Sequence, residues 1–487
     1  MRDINEIRER RDIGMDARRF PSPVHPSSPA PGCRQFARRA GRAALRGLKR
    51  LGRELDGYAS TTRLLRASDS WEAAVVARWQ LSELNRLLAH AARRVPGYRE
   101  KFAAVGFSPE NQPLMCLDEL RTLPFFTKAE LRADANAFAD QRAPAAARLS
   151  VTSGGTTGAP TPFFAARRTY KGVFDAWRHA MWARAGFRAG ARCLDLTWAF
   201  EKSAPLCLHA GPRRLYLSIN YLNTDAVEAW LSRVETFSPE YIIGFPSTAA
   251  AFAKLVAGRA RFPHLRAVLA GSELLTVQQR ATLDDIFGVR VFCWYGMAEM
   301  AGFASGCEKA DTFHFWPQSG VLEIIGDDGL PVTQPGGAGE MVLTGFANRV
   351  TPFIRYRTGD RAILGEPCPE CRRPHRVLAA LEGRQRDFLL GRAGRVVPLS
   401  ALNFHGDEFR RVFAHQFIQT EPGAVSLRVV PMPGFSEFDH AAITKLMQNK
   451  LGGDLILSLE AVLALERTAR GKQPLIIQRC EEALQER

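Results

Sequence analysis

The chain has 487 residues, 46% of them hydrophobic, and a formal net charge of +16. No run reaches the roughly 18 consecutive apolar residues of a membrane helix, which excludes an integral helical protein. The nine cysteines form no disulfide framework and fit thiols kept reduced in a cytoplasm, and no helix-turn-helix, zinc-finger or aromatic RNA-binding signature makes nucleic acid an expected partner.

In chain order, Met1 to Arg19 mixes acids and bases and lacks the apolar region of a signal peptide, and Pro21 to Pro31 is proline-rich. Phe36, Ala40, Ala44, Leu48, Leu51 and Leu55 then recur at helical spacing, with Arg38, Arg39, Arg42, Arg46, Lys49 and Arg50 on the remaining face. This basic amphipathic helix either packs on its own domain with a solvated face or lies on anionic lipid or a partner. Helical patterning continues to about residue 145, for example over Trp71 to Arg94. From 146 to 386 short apolar runs (Arg192 to Trp198, Tyr241 to Gly244, Ala267 to Ala270, Val289 to Trp294) alternate with helical ones, which predicts an α/β core with largely parallel strands. Gly339 to Phe346 reads as a further strand. Beyond Asp387 a smaller unit is expected, with a hairpin at 388 to 398, strands around Ala424 to Val430 and Ala461 to Leu465, and a helix at 437 to 450. The expected division is 1–57, a basic extension; 58–387, a large α/β domain; and 388–487, a small domain.

Five segments carry chemistry. In Val151 to Thr161, glycines 154, 155 and 158 permit tight turns that aim backbone N–H groups at an anion, and Thr152, Ser153, Thr156 and Thr157 add hydroxyl donors. Ala159 and Pro160 follow Gly158, so this is not a Walker A loop, and composition alone equally describes an ordinary loop. Phe292 to Glu299 is an apolar strand ending in a turn that presents Tyr295 and Glu299. Tyr356 to Asp360 delivers a second carboxylate from a glycine turn. Glu382 to Asp387 contains Arg384, and Arg467 to Lys472 lies near the C-terminus. Taken singly, Glu299 reads as a helix-start acid, Asp360 as a turn former and Lys472 as a solvated lysine. In this order and spacing the five segments resemble the adenylate-forming superfamily of acyl-CoA synthetases, from about residue 90 to 480. Pro96 to Phe102, Leu123 to Lys128, Gly244 to Ser247, Gly271 to Leu274 and Tyr295 to Glu308 resemble its phenylacetate-CoA ligase and capsular-polysaccharide CapK-like branch.

The resemblance implies a large multi-layered adenylate-forming domain, a small mobile α+β domain hinged at Asp387, and ATP-dependent activation of a carboxylate through an acyl-adenylate followed by transfer to a thiol. It implies that Thr152, Ser153, Gly154, Gly155, Thr156, Thr157 and Gly158 hold pyrophosphate, with Thr157 counted as catalytic, and that Glu299 ligates Mg²⁺. Tyr295 and Gly296, with Gly271, Ser272 and Glu273, would frame adenine; Asp360 would accept the ribose hydroxyls, with Arg384 near ribose and phosphate. Lys472 would bridge the substrate carboxylate and the α-phosphate. Tyr241, Gly244, Phe245 and Leu274 would line an apolar pocket suited to an aryl or medium acyl acid. Coenzyme A is the expected co-substrate, with a carrier thiol, an amine or a polysaccharide hydroxyl as alternative acceptors. A silent scaffold, a homodimer, and peripheral membrane or polysaccharide-assembly association stay open. Cys368-Pro369-Glu370-Cys371 has the spacing of a zinc knuckle that needs two more ligands. Cys307 and His314 are the candidates, with His375 as substitute for His314, and incidental thiols are the alternative.

Overall fold

The computed structural model describes residues 57–153, 161–197, 206–208, 213–384, 388–398, 407–451, 453–468 and 472–480. The basic helix expected over 36–55 and the hinge at Asp387 lie outside the described residues. Among those residues no helix is long and apolar enough to cross a membrane.

A twelve-stranded sheet organises the large domain. In one half, Arg214–Leu217, Cys193–Leu196, Tyr241–Gly244, Ala267–Gly271 and Arg290–Gly296 lie side by side and parallel. Apolar runs suit this role, because both faces are covered: Cys193–Leu196, Tyr241–Gly244 and Ala267–Gly271 are buried at every position, and the one charged residue among them, Asp195, is paired with Arg214. Side chains alternate between the faces. Ile242, Val268, Ala270 and Val291 meet Ala249, Phe252 and Ala253 of helix Pro246–Val256, and Tyr241, Ile243, Leu269 and Phe292 meet Trp182 of helix Tyr170–Ala183. The helix Val277–Phe287 starts at a capping box made by Thr276 and Gln279 and stops at Gly288, whose φ of 61° is left-handed.

The other half of the sheet departs from the parallel expectation. Phe303–Gly306, Phe313–Phe315, Arg376–Arg384, Phe353–Leu364, Ala338–Gly345 and Gly320–Ile325 follow in that spatial order, and every pairing among them is antiparallel. Arg290–Gly296 is the strand at which the sense changes, parallel to Ala267–Gly271 and antiparallel to Phe303–Gly306. The helix Ala73–Arg94 packs on this half through Leu84, Leu87, Leu88 and Ala91, one face at helical spacing. A separate hairpin pairs Arg148–Ser153 with Thr161–Ala166.

The C-terminal residues build their own sheet, in the order Ile456–Ala461, Ala424–Pro431, Val412–Glu421 and Ile476–Gln478, packed on helix Glu437–Leu451. The hairpin expected at 388–398 pairs Phe388–Leu390 with Val396–Pro398. The strand expected at Ala461 to Leu465 lies earlier, at Ile456–Ala461, where Leu457 enters the core and pairs with Val425.

Candidate active site

Strand register sets the frame of the site. Gly244 pairs with Ala270 and Gly271 with Trp294, so Phe245, Ser272 and Tyr295 emerge from the carboxyl ends of three adjacent parallel strands, each about 4.8 Å from the next. Ligands in open α/β sheets bind outside these ends, where the topology switches. A Cβ at Gly271 would stand 2.5 Å from the Trp294 ring nitrogen, so only glycine lets the turn pass. Ser272 then takes a left-handed φ of 68°.

Two carboxylates converge at the switch strand. Tyr295 Oη donates to Asp360 Oδ2 at 2.7 Å. The Asp360 turn is held from beneath: its N–H donates to Thr358 Oγ1 at 3.0 Å, and the Gly359 N–H donates to Glu340 Oε1 at 2.9 Å. Glu299 is 3% exposed and accepts from Tyr356 Oη at 3.2 Å. Burial pushes its carboxyl above the ordinary range, and nearby Asp360 adds to that, while the Lys128 ammonium and the Tyr356 hydroxyl oppose it. Tyr170 Oη donates to the Ala298 carbonyl at 3.0 Å and fixes the turn.

Lys128 and Tyr356 carry no role in the sequence reading, although both stand inside motif segments. Lys128 opens the helix Lys128–Ala133, capped by Thr127 and Glu130, and its ammonium donates to the Thr358 carbonyl. The segment is stitched to strand Phe353–Leu364 by Phe126, whose N–H donates to Arg355 O at 3.0 Å and whose carbonyl accepts from Arg357 N–H at 2.9 Å. Arg355, buried and at φ 47°, donates to both Glu323 oxygens and to the carbonyls of Arg121 and Leu123.

Thr152 and Ser153 end the strand Arg148–Ser153, and Ser153 pairs with Thr161. Gly154, Gly155, Thr156, Thr157 and Gly158 lie outside the described residues. Arg132 Nε, from the Lys128 helix, donates to Thr161 Oγ1 at 3.1 Å. Arg384 pairs with Asp360 through the backbone, and its side chain lies outside the described residues.

The small domain supplies the other wall. Lys472 Nζ donates to the Ser272 carbonyl at 3.0 Å and stands 5.8 Å from the Phe245 ring centroid. The Gln473 N–H donates to Glu273 Oε1 at 3.1 Å, and Leu274 packs against the small-domain core. The structure therefore gathers Lys472, Phe245, Ser272, Glu273 and Leu274, with one oxygen of the Glu273 carboxylate turned to the small domain and the other to Ser247. Tyr241 is not among them. It begins its strand at the opposite end from Phe245, donates its hydroxyl to Gly186 O at 2.8 Å and packs edge-on to Phe187. Gly244 faces the start of helix Pro246–Val256, where an added Cβ would meet Thr248 Oγ1 at 3.0 Å.

Away from this edge, Cys307, His314, Cys368 and Cys371 bring their ligand atoms within 4.8 Å of one another. Cys307 and Cys368 sulfurs are 3.9 Å apart, and Cys371 Sγ is 3.4 Å from His314 Nε2. Burial pushes the His314 imidazole down to about 4, which keeps it neutral. His375 stacks edge-on to His314 with ring centroids 5.7 Å apart and is not part of the donor cluster.

No family model matches the chain. In sequence it is similar to phenylacetate-coenzyme A ligases: that of Pseudomonas putida is 29% identical over 350 residues, 68% of this chain and 76% of the relative, and that of Thermus thermophilus 29% identical over 328 residues, 66% and 72%. In structure it is similar to 2-hydroxyisobutyryl-CoA ligase in its postadenylation state, with a TM-score of 0.67 at 20% identity, covering 85% of this chain and 92% of the other. The same ligase in its thioesterification state gives a TM-score of 0.54. The fold is thus the one that this ligase adopts.

Proposed function

We propose that the chain is an ATP-dependent acid–thiol ligase that activates a small carboxylic acid as its acyl-adenylate and passes the acyl group to coenzyme A. A carboxylate is a poor acyl donor because its charge repels nucleophiles and oxide is a poor leaving group. In the first half-reaction a carboxylate oxygen of the acid attacks the α-phosphorus of ATP and pyrophosphate departs. In the second, the thiolate sulfur attacks the acyl carbon and AMP leaves.

The observation that carries this reading is the position of Lys472, which crosses from the small domain to the strand-end row and stands beside Phe245 and Ser272. An ammonium there neutralises two oxygens at once without a fixed planar geometry. Asp360, oriented by Tyr295, is an acceptor for paired ribose hydroxyls. The Glu299 carboxylate, a hard oxygen donor that accepts the Tyr356 hydroxyl on Oε1, fits Mg²⁺, which when bound would supply positive charge at the phosphates. Phe245 gives the acid an apolar contact that suits an aryl or medium acyl group, while Leu274 is engaged by the small-domain core. The higher similarity to a postadenylation state supports a small domain disposed for the first half-reaction.

The Cys307, His314, Cys368 and Cys371 cluster fits a structural Zn²⁺. Tetrahedral zinc with thiolate and imidazole ligands sets neighbouring donors about 3.5 to 3.8 Å apart, close to the separations here. A cytoplasmic location is part of the proposal, and the seven cysteines whose side chains are described are free thiols.

Pyrophosphate exchange across a panel of aryl and medium-chain acids tests the function. At least one acid should support exchange, and Lys472→Ala should cripple it while sparing transfer from a supplied acyl-adenylate. Absence of exchange with every acid would overturn the reading.

A further inference from the structure

Glu273 lies between the two domains, and its contacts are directional. Oε1 accepts the backbone N–H of Gln473, the residue next to Lys472, at 3.1 Å; Oε2 accepts the backbone N–H of Ser247, in the first turn of helix Pro246–Val256, at 3.3 Å. The first N–H groups of a helix have no partner within it, and they favour a negative acceptor. Glu273 thus ties a fixed point of the large domain to the peptide that carries Lys472. The residue before it, Ser272 at a left-handed φ of 68°, accepts the Lys472 ammonium on its carbonyl, and the residue after it packs into the small-domain core. A second tie lies at the far end of the same helix. Lys254 Nζ donates to the carbonyls of Val412 and Phe413, the latter at 3.0 Å, but these are remote in sequence from Lys472 and fix the domain without fixing the lysine.

We infer that Glu273 is a positioning residue for Lys472, a latch that sets the register of the segment 472–473 against the strand ends during adenylation. The contacts explain why a carboxylate is needed. Two N–H donors approach, one from each domain and one on each oxygen; burial pushes the carboxyl up, and these hydrogen bonds and the Lys472 cation oppose that, while Glu273 in turn acts on the Arg467 guanidinium. An amide offers one acceptor oxygen and turns N–H groups toward a donor. A hydroxyl is too short to span both. The latch belongs to one arrangement of the small domain, since any rotation that withdraws Lys472 breaks the Gln473 hydrogen bond with it.

The inference rests on the proposed adenylation reaction, and its test separates the two. In the full chain, Glu273→Ala and Glu273→Gln are compared with the unaltered protein in pyrophosphate exchange, in transfer from a supplied acyl-adenylate to coenzyme A, and in hydrogen exchange of the peptide spanning 466–480. Losing a hydrogen bond to a charged acceptor predicts a drop of about 10- to 100-fold in exchange rate for Glu273→Ala, with Glu273→Gln between, and at least tenfold less loss in transfer. Amide exchange around Gln473 should quicken in both variants while the strand Val412–Glu421 stays protected. Equal loss in the two half-reactions, or unchanged amide exchange at Gln473, would overturn the latch. If no acid supports pyrophosphate exchange in the unaltered chain, the functional reading fails, and the amide exchange still decides whether Glu273 holds the segment.

Discussion

Tyr356→Phe is the most exacting perturbation of the carboxylate centre. It deletes one hydroxyl and keeps the ring, which packs against Phe353 and Phe126 with centroids 4.9 and 5.8 Å away, so the strand that carries Asp360 should hold its place. What is lost is the donor 3.2 Å from Glu299 Oε1. A hydrogen bond to a charged group contributes about 1.5 to 3 kcal/mol, and this one, at the long end of the range, belongs near the lower bound. At about 1.4 kcal/mol per factor of ten, adenylation should slow by about tenfold. Burial already raises the Glu299 carboxyl, and removing a donor to the anion raises it further, so the acid limb of the pH–rate profile should move to higher pH. Pyrophosphate exchange from pH 5 to 9 reads both effects. The decisive arm is a double-mutant cycle: because Tyr356 is argued to act through Glu299, Tyr356→Phe should cost little once Glu299 is glutamine. An equal cost in both backgrounds, with an unmoved acid limb, would refute the coupling.

Purified chain should carry close to one zinc, and Cys371→Ser should lower zinc content and melting temperature together; metal-free protein of unaltered stability would assign the four residues to incidental thiols. Burial pushes Lys254 down to about 8, with only backbone carbonyls as acceptors in its hydrogen bonds. An unfolded chain holds that proton up to about pH 10.5, so between about 8 and 10.5 the unfolded state binds more protons and stability from this residue rises with pH. Unfolding midpoints at pH 7.5 and 9.5 should therefore show the unaltered protein gaining on Lys254→Met, and a pH-independent difference between the two would contradict the depressed pKa.

Much of the parallel half is legible in the sequence because its strands are short unbroken apolar runs, such as Ala267 to Ala270, which have one stable use between two helical layers. The antiparallel half is less so. Phe303–Gly306 and Phe313–Phe315 are brief and interrupted by glycine, serine or histidine, and they exist as strands because Trp294 and Val377 pair with them. Val412–Glu421 hides its alternation behind Gln416 and Gln419, which are fully buried and spend their amides on the carbonyls of Glu466, Pro474 and Leu390. The same limit applies at the site. Glu299, Asp360 and Lys472 stand in motifs that name them, whereas Lys128 matters only through Thr358 and Tyr356 only through Glu299, partners that no local periodicity connects. Tyr241 and Phe245 stand at the two ends of one apolar run, Tyr241 opening the strand and Phe245 following its last residue. Four residues along a strand amount to about 13 Å, enough to place them at opposite edges of the sheet.

The distribution of groups between the domains follows from the two reactions proposed. Glu299 and Asp360 sit on strand ends and turns braced by Tyr356, Tyr295 and Glu340, where fixed acceptors would serve a nucleotide bound through both proposed half-reactions. Lys472 is different in kind. In the proposed reaction its charge would assist while the acid's carboxylate is still anionic, and the acyl-adenylate carries no such charge at the carbonyl that the thiolate must reach. A cation fixed permanently beside Phe245 would occupy the approach after its task had ended. Mounting it on a separate sheet, tied by one carboxylate at Glu273 and by Lys254 at the far end of the same helix, lets a few directional hydrogen bonds hold it for the first step and release it as a unit for the second.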